Sequence, residues 1–164
     1  MRTDVQRLLT GLTVAVLATS NALGSTFVKV DVPTLNRTSE AVVHARVADV
    51  RSAWNDEHTM IFTFVTLEVL GRLRGEAVPG LVVRVPGGTV DGFSGVMEGA
   101  PTFRAGEEVV AFIARWRDGF PMVAGYEQGL SRVELDAYGS QRLRGGVADG
   151  IALSNFARLV AGQR

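Results

Sequence analysis

Few residues in this chain have side chains and spacing that could do chemistry. Its 164 residues contain two histidines, His44 and His58, and no cysteine. The absence of cysteine excludes disulfides, thiolate nucleophiles, cysteine-ligated zinc and a lipidated N-terminal cysteine. A histidine-based metal site would need both imidazoles plus carboxylates such as Asp49, Asp56 or Glu57, and no spacing typical of zinc is present. Both histidines are expected at the surface. Ser94, in Gly92-Phe93-Ser94-Gly95, has a superficial likeness to a nucleophile elbow, but that motif needs Gly-x-Ser-x-Gly between a strand and a helix. Pro86-Gly87-Gly88 is not followed by the Gly-Lys-Ser/Thr of a phosphate loop, so its glycines read as a positive-φ turn or a close backbone contact. Asp91, Glu98, Glu107 and Glu108 offer calcium-type oxygens without the Asp-x-Asp-x-Asp pattern of a calcium loop. Asn36-Arg37-Thr38 matches a glycosylation acceptor, a match too short to carry a function. The residues therefore predict no catalytic group, no metal and no cofactor.

Binding is the chemistry left. Trp54, Phe93, Trp116, Phe120 and Tyr126 all stand near expected turns or strand ends, where aromatic side chains either plug the end of a barrel or form a binding face. Residues 87–106 (GGTVDGFSGVMEGAPTFRAG) hold six glycines and show little periodicity, which predicts one long loop. Its apolar members Phe93, Val96, Met97 and Phe103 are expected to fold it back on the barrel. The candidate binding residues are Asp91, Phe93, Glu98, Phe103 and Tyr126.

The elements that must position these residues read as strands. Most of the 19 glycines fall between runs of Val, Ile, Phe and Thr, the pattern of short strands joined by turns. Residues 27–32 are expected to be extended, and residues 33–40 to form a short helical turn with Pro33 near its start. Residues 41–50 alternate as a first main strand. Residues 54–58 form a polar turn, and residues 59–70 a long, bending strand closed by Gly71 and Gly75. Residues 80–86 are the next strand. Residues 109–114 (VVAFIA) form a central strand buried on both faces. Asp118-Gly119 reads as a hairpin turn into residues 121–125, followed by a strand over 130–135. Ser154 is expected to N-cap a helix over 155–161 that applies Phe156, Leu159 and Val160 to the sheet and stops at Gly162. The predicted fold class is all-β with minor helix: a small barrel of five to six strands, similar to the OB-fold, forming one domain over residues 25–164.

The first residues read as a signal peptide helix. Arg2 and Arg7 precede an apolar run over residues 8–18, about half of the roughly 20 residues a membrane span requires. Ala22 and Gly24 suit a signal peptidase, so residues 1–24 are expected to be removed. That placement predicts an exported protein, periplasmic or extracellular, with no stable membrane anchor after cleavage. The whole chain has 17 basic and 17 acidic residues; without Arg2, Arg7 and Asp4 the remainder has 15 and 16. A near-neutral surface lacks the field that draws in phosphate backbones, so nucleic acid is excluded as a partner.

Several short motifs occur in a recognisable order. Val85-Pro86-Gly87-Gly88, then Gly99-Ala100-Pro101-Thr102-Phe103, then Gly106-Glu107-Glu108 leading into a strand resemble a group of uncharacterised bacterial exported proteins. Residues 39–43, Ile61-Phe62-Thr63 and residues 125–129 support the resemblance, which covers roughly residues 33 to 133. It implies a small barrel similar to the OB-fold, of the kind found in tissue inhibitors of metalloproteinases, and no established activity. The chain departs from the pattern at Asp91, where a further glycine is expected, and at Ala111, where a larger apolar residue is usual.

The expected function is that of a non-enzymatic exported module that binds an extracytoplasmic protein or polymer through residues 87–106. Two alternatives belong to other classes. One is a protease inhibitor or protease companion, suggested by the metalloproteinase-inhibitor likeness although the chelating N-terminal cysteine is missing. The other is a hydrolase with an unrecognised site built from the two histidines and nearby carboxylates.

Overall fold

The computed structural model describes residues 28–76 and 79–162; the expected leader lies outside them. Asp31 opens the first helix, α1 (Val32–Thr38), by accepting the Thr34 N–H on Oδ1 at 2.9 Å, with Pro33 in the first turn. The helical turn expected here is present. The described part of the extended segment before it, from Val28 to Asp31, forms no strand.

Nine strands follow: β1 (Ala41–Trp54), β2 (Ile61–Arg74), β3 (Gly80–Pro86), β4 (Gly88–Val90), β5 (Phe93–Gly95), β6 (Glu108–Arg115), β7 (Pro121–Val123), β8 (Leu130–Leu135) and β9 (Gln141–Arg144), with helix α2 (Leu153–Ala161) at the end. Seven of them form one antiparallel sheet in the order β3-β2-β1-β6-β8-β9, with β7 pairing on β6 beyond the end of β8. β4 and β5 pair only with each other. The molecule is thus mostly β with minor helix, as the glycine-punctuated runs predict.

The sheet curls because β1 and β2 are long and irregular. Their register slips between Val42 and Val43, between His44 and Ala45, and between Val47 and Asp49. Bulges of this kind bend and twist a strand pair. Gly71 lies opposite His44 within this irregular stretch, so β2 passes through it to Arg74 instead of stopping there.

Alternation then gives the sheet two buried faces. Val43, Ala45 and Val47 of β1 point inward with Val65 and Leu67 of β2, Leu81, Val83 and Val85 of β3, and Val109, Ala111 and Ile113 of β6. Val42, Val110 and Phe112 point the other way, where Val32 and Leu35 of α1 and Leu153, Phe156 and Val160 of α2 cover them. The rings of Phe112 and Phe156 meet edge to face at 5.9 Å. β6 is buried on both faces, as its unbroken apolar run predicts. Ala111 is fully buried in the inner core despite its small size.

Four expectations are corrected. The sheet is not a closed barrel: β3 and β7 run side by side but share no ladder among the described residues. β7 has only three residues, begins with Pro121, which has no N–H, and is already paired with β6. Residues 87–106 are not one long loop, because Asp91 (φ 49°) and Gly92 (φ 83°) make a two-residue turn that joins β4 to β5. β9 has no counterpart among the expected strands; it is a polar edge strand with Leu143 alone buried. α2 starts at Leu153 after Ala152, so Ser154 lies inside the helix and Leu159 faces solvent, while Leu153 takes a place in the core.

Candidate functional site

Ser52 and Thr63, on facing strands, share a hydrogen bond of 3.0 Å, and the Thr63 hydroxyl donates to the Gly87 carbonyl at 2.8 Å. The Gly87 N–H donates to Ile61 O at 2.9 Å. These bonds hold the Pro86-Gly87-Gly88 corner against the end of β1 and β2. Gly88 has φ 134°, and a Cβ there would strike both hydroxyls, so no other residue fits. The corner turns the β4–β5 hairpin back over the end of the sheet.

The β1–β2 turn is stiffened by one side chain. Asn55 Oδ1 accepts the N–H groups of Thr59 (2.8 Å) and Met60 (2.9 Å), and its Nδ2 donates to Glu57 (2.7 Å) and Thr59 (3.0 Å). This frame presents Trp54, His58 and Met60 to the hairpin. The Trp54 ring stacks on His58 at 6.2 Å and meets the Phe93 ring at 5.8 Å with an interplanar angle of 63°.

Between turn and hairpin lies a groove of about 320 Å³, lined by Trp54, Met60, Ile61, Phe93, Val96 and Met97 among others. Met60 is 46% exposed, Phe93 63%, Val96 92% and Met97 39%. Four of the large apolar side chains that face solvent therefore collect at one place.

The candidate residues separate in space. Phe93 lines the groove, and Asp91 sits on the hairpin turn beside it. Glu98 follows Met97 and borders a second cavity. Phe103 is half-buried against the inner core, so it plugs the curled sheet. Tyr126 lies on a 3₁₀ turn (Tyr126–Gly129) outside the groove, with φ 55°. Of the four apolar loop residues expected to fold back on the sheet, Val96 is almost fully exposed and Phe93 largely so, whereas Phe103 is packed. Met60 was not signalled as a site residue: it lies in the expected strand over residues 59–70, where it reads as one more apolar strand residue.

The second cavity, about 920 Å³, is bounded by residues 29–33, Glu98, Gly99, Gly125, Glu127, Gln128, Gly146, Val147 and Asp149. The Gln128 side chain holds one wall: Oε1 accepts the Val30 N–H at 2.8 Å and Nε2 donates to Val28 O at 3.0 Å. Among the described residues none of the large apolar side chains that face solvent lines this cavity, in contrast to the groove at Phe93.

Another aromatic cluster lies on the outer face of β2 and β3. The Arg84 guanidinium sits over the rings of Phe62 (4.8 Å), Phe120 (4.9 Å) and Trp116 (5.8 Å) and pairs with Asp118. That bond holds the Asp118 carboxyl below its usual range. Trp116 Nε1 donates to Arg84 O at 3.4 Å. The β6–β7 hairpin is thereby tied to β3 through side chains where a barrel would use a ladder.

Several titratable groups elsewhere are engaged in pairs. Glu108 accepts from Arg46 at 2.9 Å and contacts His44 Nε2 at 3.1 Å, and the Arg46 bond is the main cause of its lowered pKa. Glu107 pairs with Arg132 at 3.0 Å. Glu107 and Glu108 are thus not gathered with Asp91 and Glu98, and among the described residues no three or more His, Asp or Glu form a group that could hold a metal. His44 lies near the start of β1 and His58 beyond its end, which separates the two imidazoles by the length of the strand. Ser94 lies in β5, with its hydroxyl bonded to Thr89 Oγ1 at 3.0 Å; His44 bonds to Glu108 and His58 to Asp56 O. Asn36 is buried, with Nδ2 donating to Val160 O at 3.2 Å, so it links α1 to α2 inside the folded chain. Among the described residues no helix is long and apolar enough to cross a membrane.

No family model matches this chain, and no curated protein or solved structure is significantly similar to it.

Proposed function

We propose that this chain is an exported, non-enzymatic module that binds an extracytoplasmic protein in the groove between the β1–β2 turn and the β4–β5 hairpin, carried on an open, OB-like sheet. The observation that carries this reading is the exposure of Met60, Phe93, Val96 and Met97 together beside Trp54. Apolar area left in water forgoes about 25 cal/mol per Å² of stabilisation, and contiguous patches of it mark interaction sites. The hairpin that carries Phe93 adds little to either core, yet a hydroxyl pair, a glycine with no room for a side chain and an Asn-stiffened turn hold the region in place. Preorganisation of this kind lowers the entropic cost of association.

The test is capture from the extracytoplasmic fraction with tagged protein expressed from its whole coding sequence, alongside a Phe93→Asp variant. The variant should keep the wild-type circular dichroism spectrum and lose the captured partner. Retention of the same partner by Phe93→Asp would refute the groove as the binding site. N-terminal sequencing of the exported product checks the leader, with Ser25 expected as the first residue.

A further inference from the structure

We infer that the groove receives a basic segment of the partner, an arginine or lysine side chain set against Trp54, His58 and Phe93 with a neighbouring apolar residue on Met60, Val96 and Met97. This inference rests on the groove being the binding site and names what it selects.

Charge is the first reason. The two segments that form the groove, residues 54–61 and 86–97, carry Asp56, Glu57 and Asp91 and no lysine or arginine. In a chain with 17 acidic and 17 basic residues this is a local excess of one sign. All three acidic residues are exposed. Glu40, Glu107, Glu108 and Asp118 are matched by arginines, whereas Asp56 and Asp91 pair with no cation among the described residues. Acidic residues on the turns that carry an apolar groove favour a cationic segment and disfavour an anionic one.

The second reason is the chemistry of the rings, and the molecule supplies its own precedent. On the outer face of β2 and β3, aromatic rings and one carboxylate surround a guanidinium, that of Arg84. At the groove, the rings of Trp54, His58 and Phe93 stand on the same turns as Asp56 and Asp91, with no cation over them among the described residues. The face of a tryptophan is the best aromatic partner for a cation. The available volume, about 320 Å³, is at the lower end of ligand sites and suits one long side chain with part of its neighbour.

Three blocked peptides test this by calorimetry on the full chain: Leu-Arg-Leu-Arg-Leu, and its Gln and Glu counterparts. The arginine peptide should bind about tenfold more tightly than the glutamine peptide at low salt, with the glutamate peptide weakest. The advantage should shrink in about 0.5 M salt, where exposed charges are screened. Phe93→Ala should abolish binding of the arginine peptide, and a triple Asp56→Asn, Glu57→Gln, Asp91→Asn variant should reduce its affinity to that of the glutamine peptide. Equal affinity for all three peptides, or arginine-peptide binding that survives both variants, overturns the inference. If no peptide binds while partner capture still depends on Phe93, the inference falls and the binding function stands. If capture is also independent of Phe93, both fall.

Discussion

Phe62, Trp116 and Phe120 gather around Arg84, whereas Trp54, His58 and Phe93 have no such cation among the described residues. Both clusters join segments distant in sequence, and both lie where the sheet has no further strand to offer. The first is filled from within: a guanidinium over the rings, a carboxylate beside it, and a gap between β3 and β7 bridged without a ladder. The second keeps its rings and methionines in water. Similar residue types thus perform opposite tasks, and the difference is whether the fold places a cation among them. One cluster ties β3 to the β6–β7 hairpin; the other, on the function proposed above, is left open for a partner.

Substitutions can break this contrast, and the largest effect on stability is expected at the filled cluster. Arg84→Ala should cost about 2–4 kcal/mol, because it removes a largely buried side chain and its cation from among three rings. Urea denaturation measures the loss, and a midpoint equal to wild type would show that the seam does not hold β3 to the β6–β7 hairpin.

Gly88→Ala comes next, at about 1–3 kcal/mol. A side chain at φ 134° is strained, and its methyl would push Ser52 and Thr63 apart. Because Gly88 starts the hairpin, this variant should also weaken binding at the groove, which links the scaffold to the open cluster. Wild-type thermal stability in Gly88→Ala would show that the corner can relax.

Acid separates the two clusters more finely. Hydrogen bonding lowers the carboxyl pKa of Glu108 through Arg46, of Asp118 through Arg84, and of Asp136 through the Ser140 backbone and Arg142. A carboxyl whose folded pKa is depressed stabilises the fold fully above its unfolded value of about 4, and that contribution is lost as pH falls through the lower folded value. Stability should therefore be flat near neutrality and decline below about pH 4. Asp118→Asn should make the decline shallower, whereas changes at Phe93 should leave it unchanged. An acid limb identical in Asp118→Asn and wild type would remove the seam from the acid response.

The smallest effect is expected at the open cluster. Phe93→Ala should change stability by no more than about 0.5 kcal/mol, since the ring is 63% exposed. A loss as large as that of Arg84→Ala would mean that the ring is structural, and the contrast would disappear.

Much of the scaffold was legible because its signals are local. The unbroken run at β6, the alternation along β1, the Asp118-Gly119 hairpin and the Gly162 stop of α2 each depend on residues close in sequence. The Asp91-Gly92 pair also carried a hairpin signal, but β4 and β5 are three residues long and set among glycines, so no alternation flanks it. At Asp91 the missing glycine has a physical account: the backbone is at φ 49°, a region Asp tolerates better than most residues. Of the candidate binding residues, Phe93 lies in the groove and Phe103 in the core, though both stand in the same glycine-rich stretch.

Composition and periodicity by themselves determined a thiol-free chain, mostly β, with a central strand buried on both faces and two short helices, because propensity, turn chemistry and alternation are properties of neighbouring residues. Tertiary structure alone decided that the sheet stays open, that Arg84 bridges the gap, and that Trp54, Met60 and Phe93 meet in one groove. Those outcomes depend on bulges that bend β1 and β2 and on which distant side chains the bent strands bring beside a ring. Whether an aromatic residue is buried or exposed is a property of its neighbours in space, and no spacing along the chain records them.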